Sequence, residues 1–278
     1  MQLTVLVDNN TLIDRYFLAE PGLSFLIEDE NLSVLFDAGY SDIFIKNAHK
    51  MGKSLAHLDY IVLSHSHLDH TWGIEPYLRY LTELEIEHQP FSRPSLVAHP
   101  ESLTGVSAHG LREIGSLISK DRLAKQFDLQ LSKEPQFLTD NLIFLGQIPR
   151  TNDFEGILPF GRKDGSNEDD MVFEDSALVY KTSNGLVIIT GCSHAGICNI
   201  IEYAKKVCKD QKILDVIGGF HLLNPSKRQL EGTISYFENL CPNSVHACHC
   251  TDLASKIALS RVVNIKEVGV GLSLQYKS

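Results

Sequence analysis

The sequence predicts an α/β fold, and three observations predict it. The opening third alternates short apolar runs with tight polar turns, and the last hundred residues repeat a strand, a short turn and a helix. With 278 residues and 43% apolar content, the chain can also bury a large core. One domain over residues 1–278 is expected, with an irregular inserted or lid-like region at about 87–175.

The first strands are Leu3 to Asp8, Leu23 to Glu28 and, after the polar turn Asp29-Glu30-Asn31, Leu32 to Phe36, which together read as a meander. A helix capped by Ser41 and stopped at Gly52 follows, because Ile43, Ile45, Ala48 and Met51 mark one apolar face. Tyr60 to Ser64 is a strand, and a helix from about Thr71 to Glu85 comes after it. Between Glu87 and Asp175 the pattern is weakest, with helical patches from Gly110 to Phe127 and a strand at Asn141 to Leu145. The stretch from Pro149 to Glu174 is rich in Gly, Asp, Asn and Arg, as in a substrate-covering loop. The strands Ala177 to Thr182, Gly185 to Thr190, Ile213 to Gly218 and Ser244 to Ala247 close the pattern, and each of the last three leads to a histidine: His194, His221 or His249.

Between the strand at 60–64 and the next helix stands His65-Ser66-His67-Leu68-Asp69-His70. Side chains alternate along an extended segment, so His65 and His67 point the same way and suit one metal ion, while Asp69 and His70 begin the next turn and face a neighbouring one. His194 completes the first set. His221 and His249 are equal claimants for the second, the other being left to support a ligand or to contact substrate. Asp69 both binds the second ion and orients the attacking water in this reading. The His-rich first set favours zinc among divalent ions, with magnesium, manganese or iron as alternatives.

Acids outnumber bases 35 to 25, for a formal charge of −10, which argues against nucleic acid as a partner. No apolar stretch reaches the length of a membrane span and the N-terminus lacks the pattern of a signal peptide, so a cytoplasmic location is expected. The six cysteines, all in the last third, lack the spacing of a disulfide framework and are expected to be reduced. Cys248 and Cys250 flank His249, and strand alternation would turn both thiols away from it. Arg150 is read either as the partner of a substrate phosphate or carboxylate, hence a catalytic candidate beside Asp69 and His221, or as an ion pair with Asp153 or Glu155.

The His-x-His-x-Asp-His spacing in this strand-to-helix setting resembles the metallo-β-lactamase superfamily. Further stretches, among them Gln147 to Glu155, Glu174 to Val179, Thr190 to Ile197, Gly218 to Leu222 and Cys248 to Thr251, resemble the subgroup related to 7,8-dihydropterin-6-methyl-4-(β-D-ribofuranosyl)aminobenzene-5′-phosphate synthase. The resemblance implies a four-layer αββα sandwich with two metal sites. It also implies a metal-dependent hydrolase of a phosphorylated or acylated small molecule, or a pterin-related transferase releasing pyrophosphate. A binding or regulatory protein of weak turnover is the alternative. The substrate is expected to be small and anionic, and a homo-oligomer is left open.

Against the family pattern, Cys192 in Thr190-Gly191-Cys192 takes the place of a bridging carboxylate, either as a thiolate ligand or as packing beneath the site. Trp72 and Asp252 stand where glycine is usual, and Trp72 reads either as an aromatic wall or as a buried helix residue. Asp37, in Phe36-Asp37-Ala38-Gly39, is expected to accept a hydrogen bond from a ligand imidazole or to form a simple turn.

Overall fold

The computed structural model of the chain describes residues 1–165 and 168–277. In chain order its elements are β1 (Gln2–Val7), β2 (Ser24–Asp29), β3 (Leu32–Phe36), α1 (Ile43–Lys50), β4 (Tyr60–Val62), α2 (Leu68–Thr71), α3 (Ile74–Ile86), β5 (Ser95–Ala98), β6 (Val106–Ser107), α4 (Lys120–Leu123) and β7 (Asp128–Leu131). The second half comprises β8 (Gln136–Phe137), β9 (Leu142–Phe144), β10 (Arg162–Lys163), β11 (Ala177–Thr182), β12 (Gly185–Thr190), α5 (Ile197–Cys208), β13 (Ile213–Gly219), α6 (Lys227–Leu240), β14 (Ser244–Cys248), α7 (Leu253–Leu259) and β15 (Ser273–Gln275).

Two sheets result, ordered β15-β1-β2-β3-β4-β5-β7 and β14-β13-β12-β11-β9-β8, with β6 and β10 forming a separate ribbon. Each sheet is antiparallel in its meander and turns parallel where helices make the crossovers, at β3 to β4 in the first and β12 to β13 in the second. Strand alternation feeds two interfaces from each sheet. Val5, Phe25, Val34 and Phe36 pack against Phe144, Leu178, Tyr180 and Val187 between the sheets. On the outer faces, Leu6, Leu35 and Ile61 meet Phe44 and Tyr77 of α1 and α3, and Val179, Ile188 and Val216 meet Ile200, Ile201 and Phe237 of α5 and α6. The layering is therefore helix, sheet, sheet, helix, as expected.

Gly52 adopts φ +71° beyond the end of α1, as expected of the stop, whereas the N-cap position falls on Asp42 and not on Ser41, whose Oγ accepts the amide of Ile43 at 3.3 Å from one residue earlier. The single helix expected from Thr71 to Glu85 is instead two, broken at Trp72-Gly73, because the chain there runs against β3's exit: a Cβ on Gly73 would lie 2.0 Å from the Ala38 carbonyl oxygen. The stretch at 87–175 is less irregular than expected, since β5 and β7 extend the first sheet and β8 and β9 the second. The helical patch from Gly110 to Phe127 reduces to the one turn of α4; Leu111 and Leu117 are exposed while Ile114, Leu123 and Phe127 are buried. Among the described residues no helix is long and apolar enough to cross a membrane.

Candidate metal centre

The chain beyond β4, β12 and β14 carries the histidine motifs to one place, so donors from both sheets meet there. The rings of His65, His67 and His194 lie with centroids 4.6 to 4.8 Å apart. All three Nε2 atoms are buried and have no hydrogen-bond partner. Burying three imidazole lone pairs unsatisfied is costly, and a cation held among them would remove that cost. Burial keeps these rings neutral, the state a ligand requires: His65 and His194 titrate well below the ordinary range and His67 is brought down to about 3.

A second set of donors, from Asp69, His70, Cys192 and His249, has ligand atoms all within 4.8 Å of one another. His70 Nε2 and His249 Nε2 are each 3.2 Å from Cys192 Sγ and 3.2 Å from one another, and Asp69 Oδ2 lies 3.2 Å from His249 Nε2. Burial works against ionisation of Asp69, but the neighbouring His70 and the hydrogen bond from His249 hold its carboxyl below the usual carboxylate range. Against the same burial, that hydrogen bond raises His249 to about 9. The Cys192 sulfur also belongs to a group with His65 and His194, so it stands between the two sets. Burial, and then the adjoining Cys250, pushes its thiol up.

One carboxylate orients a ring in each set. Asp37 accepts the Ser64 amide and hydroxyl, both at 2.7 Å, and lies 2.7 Å from His70 Nδ1. Ser64 Oγ is in turn 2.9 Å from His65 Nδ1. With both Nδ1 atoms engaged in this way, Nε2 of each ring is turned to the centre. Gly191 makes this approach of the two sheets feasible, since a Cβ there would fall 2.1 Å from Ser64 Oγ. On the opposite side, Asn9 Oδ1 meets His249 Nδ1 at 3.1 Å and Asp8 accepts the His249 amide at 3.0 Å.

Several expectations need correction. His221 is absent from both converging sets: its ring packs 4.3 Å from that of His194, and its amide donates to Cys250 Sγ at 3.3 Å. Arg150 neither pairs with Asp153 or Glu155 nor offers a free fork. Its terminal nitrogens donate to the carbonyls of Gly156, Met171 and Val172, tying the loop to itself. Trp72 is half-buried, stacks on Tyr40 at 5.2 Å and donates to Gly115, lining a cavity of about 610 Å³ with Tyr40, Lys46 and Arg79. Cys248 does face away, into the core between the sheets. Cys250 does not: His249 has φ +52°, which breaks the alternation and sets Cys250 Sγ 3.3 Å from the Cys192 carbonyl oxygen.

The sequence reading missed Asp8, Asn9, Ser64 and Phe160. The first three carry a usable signal, being polar residues just beyond the apolar runs of β1 and β4. Phe160 carries none. Its ring comes from the loop after Pro149 and covers the centre, 4.9 Å from His67, 5.0 Å from His194 and 5.7 Å from His221. That loop is anchored through Glu155, which is buried and accepts the amides of Cys198 and Asn199 at the start of α5. Glu174 anchors it again by accepting the Ser66 hydroxyl at 2.8 Å. Ser166 and Asn167 of the expected lid lie outside the described residues.

The fold and this clustering of donors define a class, and the chain belongs to it: the metallo-beta-lactamase superfamily, whose family model matches residues 18–203. Two proteins of Methanocaldococcus jannaschii are similar over most of its length. One is an uncharacterized protein, 34% identical over 268 residues, covering 96% of this chain and 97% of its own. The other is 7,8-dihydropterin-6-methyl-4-(beta-D-ribofuranosyl)-aminobenzene-5'-phosphate synthase, 30% identical over 248 residues and covering 84% and 82%. Among solved structures, Tm1679, a metal-dependent hydrolase of the beta-lactamase superfamily, superposes with a TM-score of 0.83 at 29% identity over 100% of both chains.

Proposed function

We propose that this protein is a metal-dependent enzyme that hydrolyses a small phosphorylated or acylated molecule at a two-ion centre. The observation that carries this reading is the convergence of three buried, partnerless imidazole nitrogens beside a second set of four donors. His65, His67 and His194 would hold the first ion and Asp69, His70 and His249 the second, with Cys192, whose sulfur belongs to both donor groups, available as a further ligand on loss of its proton. Zinc suits this mixture of imidazole, thiolate and carboxylate. When bound, the ions polarise a phosphoryl or acyl oxygen and acidify water. The protein's own residues do the rest. Asp37 and Ser64 fix ring orientations, Asp69 orients the attacking water, and His221, outside both sets and beside His194, contacts the substrate. Phe160 limits access of bulk water to the first set.

A second reading, transfer onto a pterin-related substrate with release of pyrophosphate, is favoured by the 30% identity to the synthase. Metal analysis of purified protein, followed by turnover of phosphodiester, phosphomonoester, thioester and lactone substrates, tests the first reading. Pyrophosphate release from a pterin diphosphate with an arylamine tests the second. Full metal loading without turnover in either assay would leave a ligand-binding protein, and no divalent metal at all would remove both readings.

A further inference from the structure

Ser66 stands between His65 and His67 of the first donor set, and its hydroxyl donates to Glu174 Oε1 at 2.8 Å. The other oxygen of Glu174 faces Lys163 Nζ at 3.5 Å, and the same ammonium lies 3.6 Å from Asp170 Oδ1 and donates to Glu101 Oε2. Asp170 in turn holds the cover of the centre: its carbonyl accepts the Phe160 amide at 2.8 Å, and its own amide donates to the Gly161 carbonyl at 2.7 Å. Asp170 and Glu174 are both buried, and Asp170 Oδ2 and Glu174 Oε2 accept no hydrogen bond. Burial, and then the like charge of Asp170, raise the Glu174 carboxyl, and the charge of Lys163 opposes them. Two carboxylates taken out of water side by side need a cation between them. Glu101 is partly exposed and has a second cation, Lys133 at 3.2 Å, which leaves the charge of Lys163 to the buried pair.

We propose that Lys163 is a positioning residue for the metal centre: through Asp170 it holds Phe160 over the first donor set, and through Glu174 it holds Ser66 within that set. The two contacts share one charge, so the cover and the ligands are held together. With the ammonium removed, the buried carboxylates repel one another and draw in water. Asp170 then moves away with the Phe160 backbone, and Glu174 leaves the Ser66 hydroxyl. His65 and His67, on either side of Ser66, lose the backbone placement that aims both rings at one ion. The effect on metal rests on the proposed centre, whereas the hold on Phe160 does not.

The test compares the full chain with Lys163→Met, which keeps an unbranched side chain without the charge, with Lys163→Arg, and with the double variant Lys163→Met/Asp170→Asn. In metal-free protein, Lys163→Met should speed hydrogen exchange of the Phe160 amide at least about 10-fold while the amides of β12 stay as slow as in wild type. The same variant should bind zinc at least about 10-fold more weakly. Lys163→Arg should stay within about 3-fold of wild type in both measurements, and adding Asp170→Asn should recover most of what Lys163→Met loses, because it removes one of the two opposed charges. A packing role would be blind to charge, leaving Arg no better than Met and the double variant no better than the single one. Either result would overturn the proposal, as would unchanged exchange at Phe160 or unchanged zinc affinity in Lys163→Met. If Lys163→Met does not fold, folding of the double variant supports the proposal and its failure to fold overturns it. If wild-type protein binds no zinc, the metal reading fails by itself, and the order of the exchange rates still decides whether Lys163 holds the cover.

Discussion

Replacing His67 and replacing Asp69 by alanine are both expected to abolish turnover, by different routes. His67 is one of three neutral imidazoles, so His67→Ala should release the first ion and lower metal content measurably. Asp69 is only one of four donors and also orients the attacking water in the proposed reaction, so Asp69→Ala should cut turnover far more than metal content. Wild-type metal and activity in both variants would remove this account of the motif. Asp175 gives a different test. Burial raises its carboxyl from 3.8 to about 7, only one of its oxygens being satisfied, by the Ala195 amide at 2.8 Å. Its ionisation therefore contributes no cost below pH 3.8 and opposes folding increasingly as pH climbs towards 7. Asp175→Asn should raise the melting temperature of metal-free protein at pH 8 and leave it nearly unchanged at pH 4; a change equal at both values would contradict the cause assigned here.

At the scale of elements, the turn after β12 and the segment after β4 approach so closely that neither sequence alone announces the contact. Gly191→Ala should push Ser64 off Asp37 and cost about 1–3 kcal/mol, read as a lower denaturation midpoint together with weaker zinc binding. A drop in stability with unaltered zinc affinity would separate packing from ligand orientation. The described residues of the loop at 149–174 are pinned at several points. Arg150, Glu155 and Glu174 tie it down, while Ile157 and Leu158 are exposed near Phe160. Hydrogen exchange should be slow at Thr151 and Asp170, whose amides are bonded at 2.8 and 2.7 Å, and fast at Ile157 and Leu158. Rapid exchange along the whole described loop would restore the picture of a mobile lid.

For the molecule as a whole, the proposed centre is a clamp between layers. His65, His67, Asp69 and His70 follow a strand of one sheet, and Cys192, His194 and His249 follow strands of the other. Metal should therefore stabilise the global fold and not merely a loop: free zinc at 100 times its dissociation constant contributes about 2.7 kcal/mol. Chelation should lower the melting temperature accordingly, as a single cooperative transition seen by far-ultraviolet circular dichroism. A chelator that removes the metal without moving the transition would mean that the two sheets hold together independently of the centre.

What the sequence determined by itself was periodic and local. The alternation of apolar residues yields the strands of both sheets, and the strand-to-helix placement of His65, His67, Asp69 and His70 yields their convergence, because side-chain direction follows from backbone type within a few residues. The middle region was less legible, since β5, β7 and β8 are short and no periodic face marks them. His221 and His249 follow similar strand ends, and only the tertiary structure sets their rings apart, His249 beside Cys192 and His221 beside His194. Both stand in left-handed turns with φ +52°, but Asp8 and Asn9 grip His249 and hold its ring at Cys192, while the ring of His221 lies against that of His194. Folding of the loop onto itself made Arg150, an expected anion partner, a strut between loop carbonyls, and the turns after β12 and β14 of one sheet brought Cys250 to the Cys192 carbonyl. Such contacts join separate segments of the chain, and their geometry depends on how those segments meet, which no local pattern of residues encodes.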